Sequence, residues 1–189
     1  MPNLEMLPRS AAGPVSEATL LSFQNGRFDV CRVHGPCRLA RLLSHAGVAP
    51  EGQSYAANRE DGAFWFLEEQ LLQLRTHAMA DLSGEGGGMS SQRLGFYLRI
   101  VLRDLLAVRR DWTPSFDYYS VLAVPKGRSV VALVGTVAGQ PVYDPASAAG
   151  RGATGNGIQL QGGLTQFVLD FSHPANIGLT HFIQGPFGL

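Results

Sequence analysis

Lysine is almost absent from this chain: of its fifteen basic residues, Lys126 alone is not an arginine. Charge of one sign is not in excess either, because fifteen acidic residues leave a formal net charge of zero. A nucleic-acid-binding face needs clustered Lys and Arg to contact phosphates. The composition therefore argues against a nucleic-acid partner, and we expect none.

Cysteine is scarce as well, with only Cys31 and Cys37 present. Two cysteines are too few for a disulfide framework. His34 lies between them, so three candidate zinc ligands occur within seven residues. A structural zinc site takes four ligands, and a fourth at the usual spacing is missing. We therefore expect no bound metal.

The sequence also lacks long apolar runs and the marks of a secretory signal. No run reaches the roughly 20 residues that a membrane-spanning helix needs. The first residues do not show the basic, apolar and small-residue regions of a signal peptide. We expect a protein made in the cytoplasm, with no membrane partner. With 189 residues, 45% of them hydrophobic, the chain is large enough for one domain around a single core.

The first half of the chain mixes strand and helix patterns. Residues 1–26 contain several prolines and predict a loose N-terminal arm, with one helical turn capped by Ser16. A single domain of residues 27–189 follows. It is predicted to begin with a strand over 28–34, a short helix over 37–46, a strand over 53–57, and two longer helices over 62–81 and 90–111.

The second half is rich in β patterns. Strands are predicted over 118–124 and 129–139, followed by a long loop over 142–156 that is rich in Gly and Ala. The last residues, 173–189, contain Pro and Gly and are expected to wrap the surface. Helices in the first half and strands in the second predict an α+β fold with a mainly antiparallel sheet.

The most informative stretch is residues 157–171, with the sequence GIQLQGGLTQFVLDF. It starts and ends as a strand and is broken at Gly162-Gly163, three residues before Gln166. A glycine pair allows the backbone to come close to a ligand or to another strand, and a carboxamide can both donate and accept hydrogen bonds. The alternative is a hairpin or bulge that leaves Gln166 exposed.

This stretch resembles the tail of the tuberculosis-necrotising-toxin group of NAD glycohydrolases. In that group a glutamine after a glycine pair is catalytic, as Gln166 would be here. A strand of the shape V-x-G-x-V-A lies upstream, which residues 134–138 resemble, and a Tyr-x-Val precedes it, as in residues 119–121. The resemblance implies an ADP-ribosyltransferase-like fold: a split, mainly antiparallel sheet with helices inserted in the first half.

The same resemblance implies a site for NAD as substrate. An arginine on an early strand, here Arg32, would hold phosphate or ribose, and a strand of the shape Tyr-x-Ala would supply Tyr55. Arg32, Tyr55 and Gln166 are then expected to line one cleft as the catalytic set. Further contacts to NAD are expected from the residues around them: His34, Gly35, Ser54, Phe64 and Gly163.

Two assignments stay open at this point. The necrotising-toxin group has a second functional arginine in its first half, and here the candidates are Arg38, Arg41 and Arg59. NAD-degrading toxins of the RES type place a glutamate on the helix after the Tyr strand. Glu68 and Glu69 are therefore rivals of Gln166 for the third role.

The chemistry is consistent with such a set. The bond to be broken joins ribose to a cationic leaving group, so the enzyme need not protonate it and must instead stabilise a developing cation. The fork of Arg32 matches phosphate oxygens, and an aromatic ring such as that of Tyr55 or Phe64 can stack on nicotinamide. A neutral Gln166 favours hydrolysis over transfer to a protein acceptor.

The sequence therefore predicts an NAD-cleaving toxin or effector, either an NAD glycohydrolase or an ADP-ribosyltransferase. We expect it to be delivered by a secretion system into a target cell and to have a cognate immunity protein. The alternative is a non-enzymatic α+β binding module, such as an immunity or adaptor protein, whose helix over 90–111 would present the partner surface.

Overall fold

A computed structural model describes residues 2–43, 54–56, 64–83, 96, 100–107, 118–141 and 159–184. Within these ranges the chain forms a nine-stranded sheet and a separate two-stranded ribbon. The strands are β1 Asn3–Leu7, β2 Asp29–His34, β3 Cys37–Leu43, β4 Ser54–Ala56, β5 Phe64–Leu67, β6 Tyr118–Val124, β7 Ser129–Thr136, β8 Gln140–Pro141, β9 Gln159–Leu160, β10 Thr165–Leu169 and β11 Thr180–Gln184. The helices are α1 Glu17–Leu21 and α2 Glu68–Ser83, and residues 100–105 are also helical.

The order of strands in the large sheet is β1-β2-β7-β10-β5-β3-β6-β11-β4. Every pairing between these strands is antiparallel. The prediction of a mainly antiparallel α+β fold is therefore confirmed at the level of class.

Two short connections curl this sheet. β2 pairs with β7 and β3 pairs with β6, yet β2 runs into β3 through Gly35-Pro36 and β6 runs into β7 through residues 125–128. Both connections therefore pass from one part of the sheet to another at the same corner. There the Gly35 amide donates to the Arg128 carbonyl, over 2.9 Å. The largest core cluster accordingly holds residues from β2, β7 and β10 together with residues from β3, β5 and β6.

This core defines the inner face of the curled sheet, and the opposite face is the outer face. Helix α2 and residues 100–105 cover one part of the outer face, where Phe66 and Ala40 pack with Leu71 and Leu102. The segment 11–28 covers another part, where Phe23 packs with residues of β2, β7 and β10. Because both faces are covered, four successive residues of β10 are buried and the strand does not alternate in exposure.

The loose arm predicted for residues 1–26 is wrong. β1 is a strand of the sheet and pairs with β2 along its whole length. The segment after it packs on the outer face and is not a frayed terminus. The cap is confirmed, since the Ser16 side chain accepts a hydrogen bond from the Thr19 amide at the start of α1.

Three further predictions fail for one reason, the pairing of strands that are distant in sequence. Residues 37–43 form a strand and not the predicted helix, because they pair with β6 along seven residues. The helix predicted over 62–81 begins only at Glu68, since residues 64–67 pair with β10 and β3 as β5. Residues 180–184 lie within the sheet between β6 and β4, although 173–189 were expected to wrap the surface.

Other sequence predictions agree with the described residues. Strands occur within 28–34, 53–57, 118–124 and 129–139, and the chain is broken at Gly162-Gly163. Of the helix predicted over 90–111, residues 100–105 are helical. The helix ends in a turn at residues 106–107, where Ala107 has a φ of 47°. The loop predicted over 142–156 lies outside the described residues. Among the helices that the structure describes, none combines the length and apolarity needed to cross a membrane.

Candidate functional site

Gln166 is buried on the outer face and does not line an open cleft. It sits on β10 between Gly135 of β7 and Phe66 of β5. Its Nε2 atom donates to the Ser22 carbonyl over 3.2 Å and to the Ser22 hydroxyl over 2.8 Å. The side chain is thus engaged with the segment that covers this face.

Close backbone packing accounts for the glycines on either side of Gln166. A Cβ on Gly135 would lie 2.7 Å from the Phe23 ring and 2.8 Å from the Arg27 carbonyl oxygen. Gly162 has a φ of 72°, and a Cβ there would lie 2.4 Å from the Val137 carbonyl oxygen. Its amide donates to the Asp104 carbonyl over 2.8 Å. These approaches are made by the chain itself, which matches the interpretation of the glycine pair as a strand contact.

Arg32 and His34 form a charged cluster with Glu5 at the edge of the sheet. The Arg32 guanidinium donates to Glu5 over 2.9 Å, and His34 Nε2 lies 3.1 Å from the same carboxylate oxygen. These contacts, the one with His34 first and that with Arg32 second, lower the pKa of Glu5. Arg32 therefore has a carboxylate partner in place.

The structure does not bring Arg32, Tyr55 and Gln166 together. Arg32 opposes Val131 on β7 and Gln166 opposes Gly135, so they differ by four residues, about 13 Å, along the strands and by two strands across them. Tyr55 belongs to β4, and its backbone lies opposite that of His181 on β11. β4 is at the other edge of the sheet from β1.

The expected NAD-contacting residues are also dispersed. His34 belongs to the cluster with Glu5, and Ser54 lies opposite Phe182 on the far edge strand. Phe64 is exposed at the start of β5. Gly35 is packed against the β6–β7 connection, where a Cβ would lie 2.1 Å from the Pro125 carbonyl oxygen. Gly163, with a φ of 107°, has open space around its Cβ position.

A different pair of candidates does meet. Arg38 of β3 donates to both carboxylate oxygens of Glu68, from Nε to Oε2 and from Nη2 to Oε1, the latter over 3.0 Å. The Glu68 side chain is only 10% exposed, whereas that of Arg38 is 44% exposed. The Arg38 guanidinium also lies over the Phe182 ring, 5.2 Å from its centroid. Strands β3 and β11 and the start of α2 thus converge on this Arg38–Glu68–Phe182 site.

The electrostatics of this site are those of a strong, partly buried ion pair. The hydrogen bond with Glu68 is the main cause of the raised pKa of Arg38. Glu68 is the first residue of α2, where the positive end of the helix dipole favours a carboxylate. The next residue, Glu69, is exposed and accepts a hydrogen bond from Gln73. Of the two glutamates left open by the sequence, Glu68 is buried and Glu69 is exposed.

Sequence reasoning missed a second polar group, on the inner face. The Ser120 hydroxyl is hydrogen-bonded to His181 Nδ1, and both residues are buried. The Trp65 ring stands edge-on to the His181 ring, with 6.0 Å between the ring centroids. The buried Nε1 of Trp65 has no hydrogen-bond partner among the described residues. No signal within β6 or β11 predicts this contact, because the two residues are 61 positions apart.

No cluster of three His, Cys, Asp or Glu side chains suited to a metal ion occurs in the described ranges. No family model, curated protein or solved structure matches the chain.

Proposed function

We propose that the protein cleaves NAD between nicotinamide and ribose, with Glu68 in the role that the resemblance assigns to Gln166. The observation that carries this proposal is the contact of Arg38 with Glu68 beside Phe182. Arg38 was one of three candidates for the second functional arginine, and Glu68 was one of two glutamates that rivalled Gln166 for the cation-stabilising role. They belong to different elements and are brought together by the fold.

The reaction needs little from the enzyme beyond charge and position. The glycosidic bond breaks with its electron pair leaving on nicotinamide, the ribose carbon becomes cationic, and a water oxygen adds to it and releases a proton. A carboxylate near that carbon stabilises the cation, and it does so more effectively where water is excluded. Glu68 is a carboxylate in a largely buried position.

Arg38 and Phe182 suit the rest of the substrate. The Arg38 guanidinium is half exposed, so its free edge can approach the diphosphate while the other edge holds Glu68. Phe182 presents an aromatic ring next to both, on which a nicotinamide ring can stack. In this proposal Gln166 and Arg32 have structural contacts, with Ser22 and Glu5 respectively.

The ADP-ribosyltransferase-like fold is part of the same proposal. Two observations support it. The described strands of the sheet all pair antiparallel, and two of the strands that carry the resemblance, β7 and β10, are neighbours with Gln166 directly opposite Gly135. In this proposal the protein is a toxin or effector delivered into another cell, where a protein acceptor can replace water, and a cognate immunity protein protects the producer.

The test is nicotinamide release from NAD by the purified protein. Glu68→Gln keeps the shape of the side chain and removes its charge, and we expect the rate to fall by about 10²–10³. Glu69→Gln is the matched control, one residue further along α2 and exposed, and we expect it to match the parent. Arg38→Lys keeps the charge but not the fork, so we expect weaker NAD binding as well as slower turnover.

Circular dichroism and thermal melts establish that each variant is folded. If the parent protein leaves NAD intact even with candidate acceptor proteins present, the proposal is wrong. It is also wrong in its assignment of roles if Glu68→Gln is folded and as active as the parent.

A binding module remains the second candidate, and one observation favours it. Phe96 and Ile100 are exposed, and each is helical. In the helix predicted from the sequence over 90–111, a spacing of four residues places side chains on one face. Exposed large apolar side chains in such an arrangement are typical of a helix that contacts a partner. A folded protein that leaves NAD intact would support this candidate.

A further inference from the structure

Strand β1 leaves one edge of the large sheet open. It is the first strand in the order and, among the described strands, pairs only with β2. Residues 3–6 are exposed. Such an edge presents a row of unpaired N–H and C=O groups, which is a template for pairing with another chain.

The side chains of β1 do not protect this edge in the usual way. Met6 and Leu4 lie opposite Cys31 and Val33, so they extend the apolar inner face to the border of the sheet. They are 62% and 40% exposed, respectively. Natural edge strands are commonly blunted by charge. Here the only charge on the strand, that of Glu5, is paired with Arg32, and Glu5 also contacts His34.

The open edge also has a defined length. Pro2 precedes β1 and Pro8 follows it, and a proline has no amide hydrogen to donate to a strand ladder. A partner strand can therefore pair with about five residues. Five residues are enough to form a short strand pair. The area that such a pair buries is smaller than the interface of an obligate dimer.

We propose that β1 pairs antiparallel with β1 of a second copy of this chain, about a two-fold axis at Glu5. The sequence of the strand is self-complementary in that register. Leu4 of each copy then opposes Met6 of the other on the inner side, and Asn3 opposes Leu7. The same surface is used on both copies, as two-fold symmetry requires.

Charge does not oppose a second copy as the occupant. Pairing about Glu5 places the two Glu5 carboxylates near each other on the outer side. Each carboxylate brings its own Arg32 and His34, so two acidic groups are flanked by two guanidinium groups and two imidazoles. Like charges opposed across a strand pair are destabilising when they are isolated, and here they are compensated. The small contact predicts a dissociation constant in the micromolar range or weaker.

Sedimentation velocity of the full chain over about 1–500 µM tests this proposal. We expect the mass to rise from 20.3 kDa towards twice that value as concentration increases. Met6→Lys places an uncompensated charge at the pairing edge, so the association should weaken at least tenfold. Leu21→Lys is the matched control, because Leu21 is exposed on α1 and not on the edge, and its association should equal that of the parent.

A second variant gives a positive signal and reports the register. At the two-fold axis residue 5 of one copy faces residue 5 of the other, so Glu5→Cys should form a disulfide-linked dimer under mild oxidation. The parent, whose Cys31 is buried and whose Cys37 is partly buried, and Leu21→Cys should form much less linked dimer on a non-reducing gel. The proposal is overturned if the parent sediments as a monomer at every concentration. It is equally overturned if Met6→Lys associates like the parent, or if Glu5→Cys links no faster than Leu21→Cys.

Discussion

At the scale of single residues, Gln166 is where sequence and structure differ most. A carboxamide three residues after a glycine pair resembles a catalytic residue, and on that basis its removal is expected to leave folding nearly intact. In the structure it is a buried group with two hydrogen bonds to Ser22. Its environment therefore makes it a stabilising residue of the outer face.

We accordingly expect Gln166→Ala to lower the free energy of unfolding by about 1–3 kcal/mol, because the Ser22 carbonyl and hydroxyl lose a buried partner. Chemical denaturation measures this difference. Gln161→Ala is the control, since Gln161 is exposed and its backbone amide, not its side chain, bonds to Asp104. Equal unfolding curves for Gln166→Ala and the parent would show that the contact with Ser22 contributes nothing.

At the scale of elements, the carboxylate of Glu5 joins β1 to Arg32 and His34 of β2. The pKa of this carboxyl is lowered from 4.5, first by His34 and then by Arg32. A carboxyl with a lowered folded-state pKa stabilises the bound strand above its unfolded pKa, and this contribution is lost as the pH falls through the folded value. The loss is therefore expected below about pH 4.5.

Hydrogen exchange of the amides of residues 3–7, corrected for intrinsic rates, measures the opening of β1. We expect protection to be lower at pH 3 than at pH 6. Glu5→Gln cannot change its charge, so its protection should change much less between the two values. If the parent protein has the same protection at both pH values, the stability of β1 does not depend on the ionisation of Glu5.

The helix over residues 100–105 offers a second test at this scale. Leu102 lies in the helix predicted over 90–111 and is fully buried against Ala40, Phe66 and Leu71. We expect Leu102→Ala to cost about 2–5 kcal/mol through lost burial and the cavity left behind. Ile100→Ala, two positions away and exposed, should change stability by less than about 0.5 kcal/mol. Thermal and denaturant melts compare the two, and equal effects would mean that the buried face is misplaced.

At the scale of the whole molecule, the curl of the sheet depends on the corner where β2 runs into β3 and β6 into β7. A Cβ on Gly35 would lie 2.1 Å from the Pro125 carbonyl oxygen and 2.4 Å from that of Val124. Both are backbone atoms, so neither can move without displacing a strand. The two parts of the sheet can meet around one core because this position has no side chain.

We expect Gly35→Ala to destabilise the protein strongly, because the new Cβ would collide with backbone atoms. The loss should exceed the roughly 1–2 kcal/mol that an alanine costs at a position that is merely left-handed. Gly13→Ala is the control, because Gly13 has a φ of 67° and open space around its Cβ position. Melting temperatures of the two variants separate crowding from backbone strain. If Gly35→Ala is as stable as Gly13→Ala, the backbone around Pro125 can move enough to accommodate a side chain at position 35.

The sequence alone determined the features that depend on neighbours along the chain. The strand within residues 28–34, the Ser16 cap and the break at Gly162-Gly163 are local features, and each agrees with the structure. The class of the fold was also predicted from local patterns, with helices in the first half and strands in the second.

The tertiary structure decided the rest, because those features depend on contacts between distant residues. Residues 37–43 are a strand because β6 pairs with them, and this outweighs their helical spacing. Arg38 meets Glu68 across 30 residues, and Gln166 meets Ser22 across 144. Local spacing holds no information on such pairs. Burial and hydrogen-bond partners decide whether a polar side chain acts on a ligand or stabilises the fold. Both are set only when the strands have paired and the core has packed.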